Sequence, residues 1–141
     1  MRMASAANDL TVAAVMRRRW ISVSPLASLR EALQIMRMAR LRQVPVATAN
    51  GTLKGMLGYP ALVQAVLATE ASQVAQVMSP EAETGEAQMP IAEAAARIAR
   101  SHAGCLPVVE PGPDGARLVG LVTEADLLRL AYEPARGSAP A

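Results

Sequence analysis

Val12-Ala13-Ala14-Val15-Met16 returns 62 residues later as Val74-Ala75-Gln76-Val77-Met78. At the same spacing of 62, Glu31-Ala32 returns as Glu93-Ala94, and Val44-Pro45-Val46 as Leu106-Pro107-Val108. Leu53-Lys54-Gly55-Met56-Leu57 then matches Leu118-Val119-Gly120-Leu121-Val122 at a spacing of 65. The three extra residues fall between Glu110 and Arg117, among Pro111, Gly112, Pro113, Asp114 and Gly115. Such residues form turns, where insertions are tolerated. One change of register, placed at a turn, marks a duplicated unit.

Both copies read alike. A short lead helix is expected to end near Met16 and Met78, followed by extended runs at Trp20–Val23 and Ala82–Gly85. An amphipathic helix comes next. Ser28-Leu29-Arg30-Glu31 has the form of a capping box, with Leu29, Leu33 and Met36 near helical spacing. Its counterpart opens at Pro90, a residue suited to a first turn, with Ile91, Ala94, Ala95 and Ile98 on one face. Hairpins are predicted at Gln43–Ala47 with Leu53–Leu57 around Asn50-Gly51, and at Cys105–Glu110 with Arg117–Val122. Helices Pro60–Ala68 and Thr123–Tyr132 close the copies. The fold class is α/β (α+β): the order α-β-α-β-β-α, twice, with repeats at 10–69 and 70–133 and flexible termini at 1–9 and 134–141. One such unit is marginal alone, because small domains bury too little surface. The two copies are therefore expected to bury their open sheet faces together as one pseudo-twofold domain.

Composition narrows the function classes. Hydrophobic residues make up 52% of the 141, which excludes a disordered chain, and aromatic residues only 2%, so the core is aliphatic with Met as filler. No apolar run is long enough to span a bilayer, and Met1–Leu10 lacks the apolar stretch of a signal peptide. The single Cys105, flanked by Gly104 and Leu106, reads as a core thiol; a cytoplasmic protein is expected. The net charge of +2 hides an asymmetry: residues 1–70 hold nine Lys/Arg and three Asp/Glu, residues 71–141 five and nine. Arg17-Arg18-Arg19 has no interleaved aromatics, so a solvated helix end is the expectation and nucleic acid is not an expected partner. His102 and Cys105 do not form a catalytic pair by spacing, and no phosphate-loop or dinucleotide motif is present. No enzymatic role, metal or obligatory cofactor is expected.

The Val-x-x-Val-Met runs, Leu29-Arg30-Glu31-Ala32 with Ile91-Ala92-Glu93-Ala94, the Pro-Val strands, and Gly120-Leu121-Val122-Thr123-Glu124-Ala125-Asp126 together carry a resemblance. In this order and duplicated, they resemble the tandem cystathionine-beta-synthase (CBS) domain pair, or Bateman module, over about residues 10–132. That resemblance implies a stand-alone ligand-sensing module that binds AMP, ADP, ATP or S-adenosylmethionine between its copies. It also implies a homodimer joined through helix faces, here Leu62, Val63, Val66, Leu67, Leu127, Leu128 and Leu130, and a regulated protein on a separate chain. By the family pattern Thr123 and Asp126 hold ribose and phosphate, Thr84 lines the pocket, and Leu106, Pro107 and Val108 frame the base. Arg42, before Val44-Pro45-Val46, matches a basic phosphate contact, with Arg40 nearby.

Physical chemistry allows those roles. A helix start offers N–H groups to a phosphate, and a carboxylate accepts both hydrogens of a ribose diol. Thr123 to Asp126 also reads as a plain capping box, and both readings stand at this point. In the first copy Gly58 replaces the Thr and Ala61 the Asp, so one site, in copy two, is expected. The alternative function is an interaction scaffold that has lost its ligand.

Overall fold

The computed structural model describes residues 10–68, 71–101 and 103–130. Strands β1 (Gln43–Ala47) and β2 (Leu53–Gly58) form an antiparallel hairpin with Val44 opposite Leu57 and Pro45 opposite Met56. Asn50-Gly51 turns it, with Gly51 at a φ of 88°, open to glycine without steric cost. Helix α1 (Leu29–Ala39) precedes the hairpin and helix α2 (Tyr59–Ala68) follows it. In the second copy, helix α3 (Ile91–Arg100) precedes the hairpin of β3 (Cys105–Gly112) and β4 (Gly115–Thr123). Residues 124–130 are helical. Tyr132, His102 and both expected flexible termini lie outside the described residues.

The local sequence accounts for the helices. Ser28 Oγ accepts the Glu31 N–H and Glu31 Oε1 accepts the Ser28 N–H, both at 3.0 Å, so the capping box forms. Leu29, Ala32 and Met36 then fall on one buried face. At the other end Arg40 is left-handed (φ 56°), with its N–H on the Arg37 carbonyl and the Leu41 N–H on the Met36 carbonyl, a Schellman stop. Helix α3 repeats the pattern with Ile91, Ala94 and Ile98.

The structure shortens two expected elements in each copy. The extended runs at 20–23 and 82–85 pair with the hairpins through single parallel bridges, Val23 with Val46 and Gly85 with Val108. Val23 donates to the Pro45 carbonyl (3.1 Å) and accepts from the Ala47 N–H (3.0 Å). The next bond of a parallel ladder would need the N–H that Pro45 lacks. Gly85 meets Pro107 and Val109 in the same way, at 2.9 Å each. The lead helices reduce to three-residue 3-10 turns, Val12–Ala14 and Val74–Gln76. Their first donors are met by tertiary carbonyls, Val12 by Met89 and Val74 by Ala27, so no longer helix is needed. The three inserted residues lengthen the arms of the β3–β4 hairpin, with only Pro113-Asp114 left as turn.

Two compact units result, and they exchange segments relative to the repeats. One holds residues 20–68, 71–82 and 111–118, the other 10–19, 83–101, 103–110 and 119–130. Within the first unit, Ser79 of copy two bridges Met56 of β2. Within the second, Arg17 of copy one bridges Leu121 of β4. Each copy's lead segment thus completes the other copy's sheet. Each core records the exchange: fully buried Val74 packs with Leu29, Met36, Leu57 and Leu62, and fully buried Val12 with Ala94, Ile98, Leu106 and Val122. Glycine makes room for it. A Cβ on Gly55 would lie 2.3 Å from the Ser79 carbonyl oxygen, and one on Gly120 2.7 Å from Met16 Sδ.

Candidate functional site

Strand β4 ends at Thr123, where the helical residues 124–130 begin. Thr123 Oγ1 accepts the Asp126 N–H at 3.2 Å and Asp126 Oδ2 accepts the Thr123 N–H at 2.9 Å. The capping reading is therefore present in the structure. It does not exhaust Asp126, whose side chain is only 5% exposed. Arg17 Nε lies 3.1 and 3.2 Å from its two oxygens, and an Arg17 terminal nitrogen 3.0 Å from Oδ1. Arg129, one turn on, donates to the same Oδ1 at 3.3 Å.

The electrostatics follow from this crowd of donors. Burial pushes the Asp126 carboxyl upward, but hydrogen bonds from Arg17 and Thr123 and the Arg17 charge outweigh it and hold the group below its ordinary range. Arg17 is raised in turn, by its hydrogen bond to Asp126 and then by the carboxylate's charge. Two guanidinium groups thus face one carboxylate.

Three of the N–H groups expected to cradle a phosphate at this helix start are already engaged. The Thr123 N–H is held by Asp126, the Asp126 N–H by Thr123, and the Glu124 N–H by the Gly104 carbonyl at 3.1 Å. Thr123, Asp126, Thr84, Leu106, Pro107 and Val108 all belong to the same unit. Thr84 is half-buried, and its carbonyl accepts from Arg97 at 2.5 Å. Leu106 and Val108 are core side chains; buried Pro107 gives its carbonyl to the Gly85 N–H. Arg42 belongs to the other unit, with its side chain exposed and its carbonyl accepting the Tyr59 N–H at 2.8 Å. Of the candidate helix-face residues, Leu62 is core, whereas Leu67 and Leu128 are exposed.

The pairing of Arg17 is the feature of this junction that sequence reasoning did not find. Arg17, Arg18 and Arg19 are all exposed, as expected of a solvated run, but Arg17 is also paired across 109 positions. A signal was present. At the repeat spacing Ser79 stands where Arg17 stands, and Gly58 and Ala61 where Thr123 and Asp126 stand. Arg17, Thr123 and Asp126 share one compact unit, and Ser79, Gly58 and Ala61 share the other, so all three partners are absent together from that second unit, as expected if they work together. A cavity of about 300 Å³ elsewhere, lined by Ser28, Leu29, Arg30, Val66, Ala71 and Ser72, was not anticipated. Its Ser28 hydroxyl and Ser72 N–H are engaged in capping and turn bonds.

The family model for the CBS domain matches residues 12–68 and again 74–133. The chain belongs to the CBS domain family. Its α/β architecture of two CBS repeats matches that of CBSX2, a CBS-pair protein from Arabidopsis thaliana, at a TM-score of 0.80 and 25% identity over 90% of this chain and 97% of that one. The structure of CBSX2 in complex with AMP matches at 0.78 and 25%, over 90% of this chain and 99% of that one. Among curated proteins, a homoserine O-acetyltransferase from Methanococcoides burtonii is 31% identical over 120 residues, 85% of this chain. The CBS pair spans about a quarter (24%) of that relative's length.

Burial pushes the Cys105 thiol up to about 11, which leaves almost no thiolate at neutral pH. No group of three or more metal-ligating side chains occurs among the described residues. No helix among them is long and apolar enough to cross a membrane.

Proposed function

We propose that this CBS pair is a regulatory module that binds an adenosine compound beside Thr123 and Asp126 and passes its ligand state to a separate protein. The observation that carries the reading is the buried Asp126 carboxylate at the strand–helix junction, paired with Thr123 and Arg17 in one compact unit and replaced by Ala61, Gly58 and Ser79 in the other. A capping role alone calls for no buried carboxylate bound by two arginines. The AMP complex of CBSX2 supports an adenosine ligand, and the family pattern gives ribose to Asp126. One ligand per chain follows, because the first copy has Gly58 and Ala61 in place of Thr123 and Asp126. Thr84 and the 106–108 strand contribute shape and rigidity behind the site, and Arg42 a surface charge. A non-catalytic, cytoplasmic homodimer is part of the same proposal, with exposed Leu67 and Leu128 as contact residues.

Calorimetry with AMP, ADP, ATP and S-adenosylmethionine tests it. Binding of at least one compound at one per chain, abolished by Asp126→Ala, is expected. Two ligands per chain, or unchanged affinity in Asp126→Ala, would overturn the site. The scaffold reading has one observation in its favour: the Asp126 donor set is already complete within the protein. A panel that shifts the melting point with none of these compounds decides for the scaffold.

A further inference from the structure

Asp126 has no acceptor capacity to spare. A carboxylate offers about four lone-pair directions, and Thr123, Arg17 and Arg129 address all of them. A ribose diol needs two, so some donor must leave. Thr123 is bound through its backbone and cannot leave without unwinding the helix start. Arg129 makes one long contact of 3.3 Å. Arg17 supplies the most contacts and is free to swing, since its side chain is 48% exposed. Its main chain is fixed meanwhile by paired bonds with Leu121 at 2.8 and 3.0 Å. A displaced Arg17 guanidinium therefore stays tethered at the edge of the site. The guanidinium would then stand beside a carboxylate already engaged by the diol, with the Thr123, Glu124 and Asp126 N–H groups already spent. Only an anion carried by the ligand restores the lost pair.

We propose that Arg17 is the specificity-determining residue of this site: it holds Asp126 until a ligand with an anion next to its diol takes the guanidinium in exchange, so that phosphorylated adenosine is selected over uncharged or cationic adenosine compounds. This rests on the adenosine reading of the Thr123–Asp126 site. The bond exchanged is charge-assisted on both sides, so a phosphate compensates Arg17 where a bare 5′ hydroxyl or a sulfonium does not. A charge-assisted contact of this kind sets a preference of about tenfold or more for AMP over adenosine.

The test is calorimetry on the full chain with AMP, adenosine and S-adenosylmethionine, comparing wild type, Arg17→Gln, Arg17→Lys and Asp126→Ala. Arg17→Gln is expected to bind adenosine more tightly, because the carboxylate is released, and AMP more weakly. Those opposite signs are not produced by general loss of structure. Arg17→Lys, which keeps the charge, retains a preference for AMP. Equal wild-type affinity for AMP and adenosine, a result that needs no variant, overturns the proposal. So does an unchanged AMP-to-adenosine ratio in Arg17→Gln while Asp126→Ala abolishes binding, which leaves the adenosine site standing without its selector. Failure of wild type to bind any of the three overturns the site and the selector together.

Discussion

Replacing Gly55 by alanine should destabilise the protein far more than the equivalent change at Gly120, although both glycines occupy the same place in the repeat. At Gly55 the new Cβ would sit 2.3 Å from the Ser79 carbonyl oxygen and 3.0 Å from its carbon. Ordinary contact begins near 3.4 Å, so the Ser79 backbone must retreat by about 1 Å. That segment is held by two bonds, Met56 N–H to Ser79 O at 2.9 Å and Ser79 N–H to Met56 O at 2.8 Å. A retreat of that size breaks both, at about 1 kcal/mol net each, with residual overpacking adding roughly 1 more. Loss of glycine's unfolded-state entropy returns about 0.5–1 kcal/mol, leaving a net cost of about 2 kcal/mol.

At Gly120 the obstacle differs. The Cβ would meet Met16 Sδ at 2.7 Å, the end of a flexible side chain, and the Arg17 carbonyl oxygen at 3.1 Å. Rotation of Met16 relieves most of the clash, and the entropic gain offsets the rest, so Gly120→Ala should stay within about 1 kcal/mol of wild type. Urea unfolding measures the difference. With a slope of about 1.5 kcal/mol per molar for a chain of this size, the Gly55→Ala midpoint should fall by about 1.3 M. Equal midpoints for the two variants would refute the tight approach of Ser79 to β2, and with it the exchange of lead segments between the copies.

Three further outcomes are expected. Arg40→Gly should stabilise the fold by about 0.5–1 kcal/mol in the same urea assay, because a left-handed non-glycine residue costs about 1–2 kcal/mol and glycine's entropy takes back part of the gain; no gain would refute the strain at the end of α1. The Asp126 carboxyl is held below its ordinary range, so the stability it contributes is present above the unfolded carboxyl pKa of about 4 and is lost as pH falls through the lower folded value. The stability gap between wild type and Asp126→Asn should therefore be full at pH 6 and smaller at pH 3, and a gap independent of pH would contradict the ion pair. Cys105, buried and with its thiol pushed up to about 11, should resist a thiol reagent at pH 7.5 in the native state and react at once in denaturant. Rapid native labelling would show that the strand opens.

Periodicity and turn chemistry are local properties, and they were legible in the chain. The Ser28 capping box, the buried faces of α1 and α3, the Asn50-Gly51 hairpin and the duplication each rest on residues within a few positions of one another, or on comparison of two stretches. Strand extent was not legible, because it depends on what lies alongside. Pro45 and Pro107, read as marks of a strand, also cut off the parallel neighbours at single bridges. Capping was weighed at Thr123 and Asp126, and the structure contains it, but the second use of that carboxylate came from a residue 109 positions away.

The duplication with which Val12–Met16 and Val74–Met78 begin was determined by sequence alone, as was the asymmetry that leaves Thr123 and Asp126 in one copy and Gly58 and Ala61 in the other. Tertiary structure alone decided where those lead segments go. Each bridges the sheet of the other copy, because Gly55 and Gly120 leave a gap that a backbone can enter, and nothing in a run of five residues says which gap it will fill. That exchange carries Arg17 to Asp126. A charge's partner is set by distance in space, and the chain shows only distance along itself.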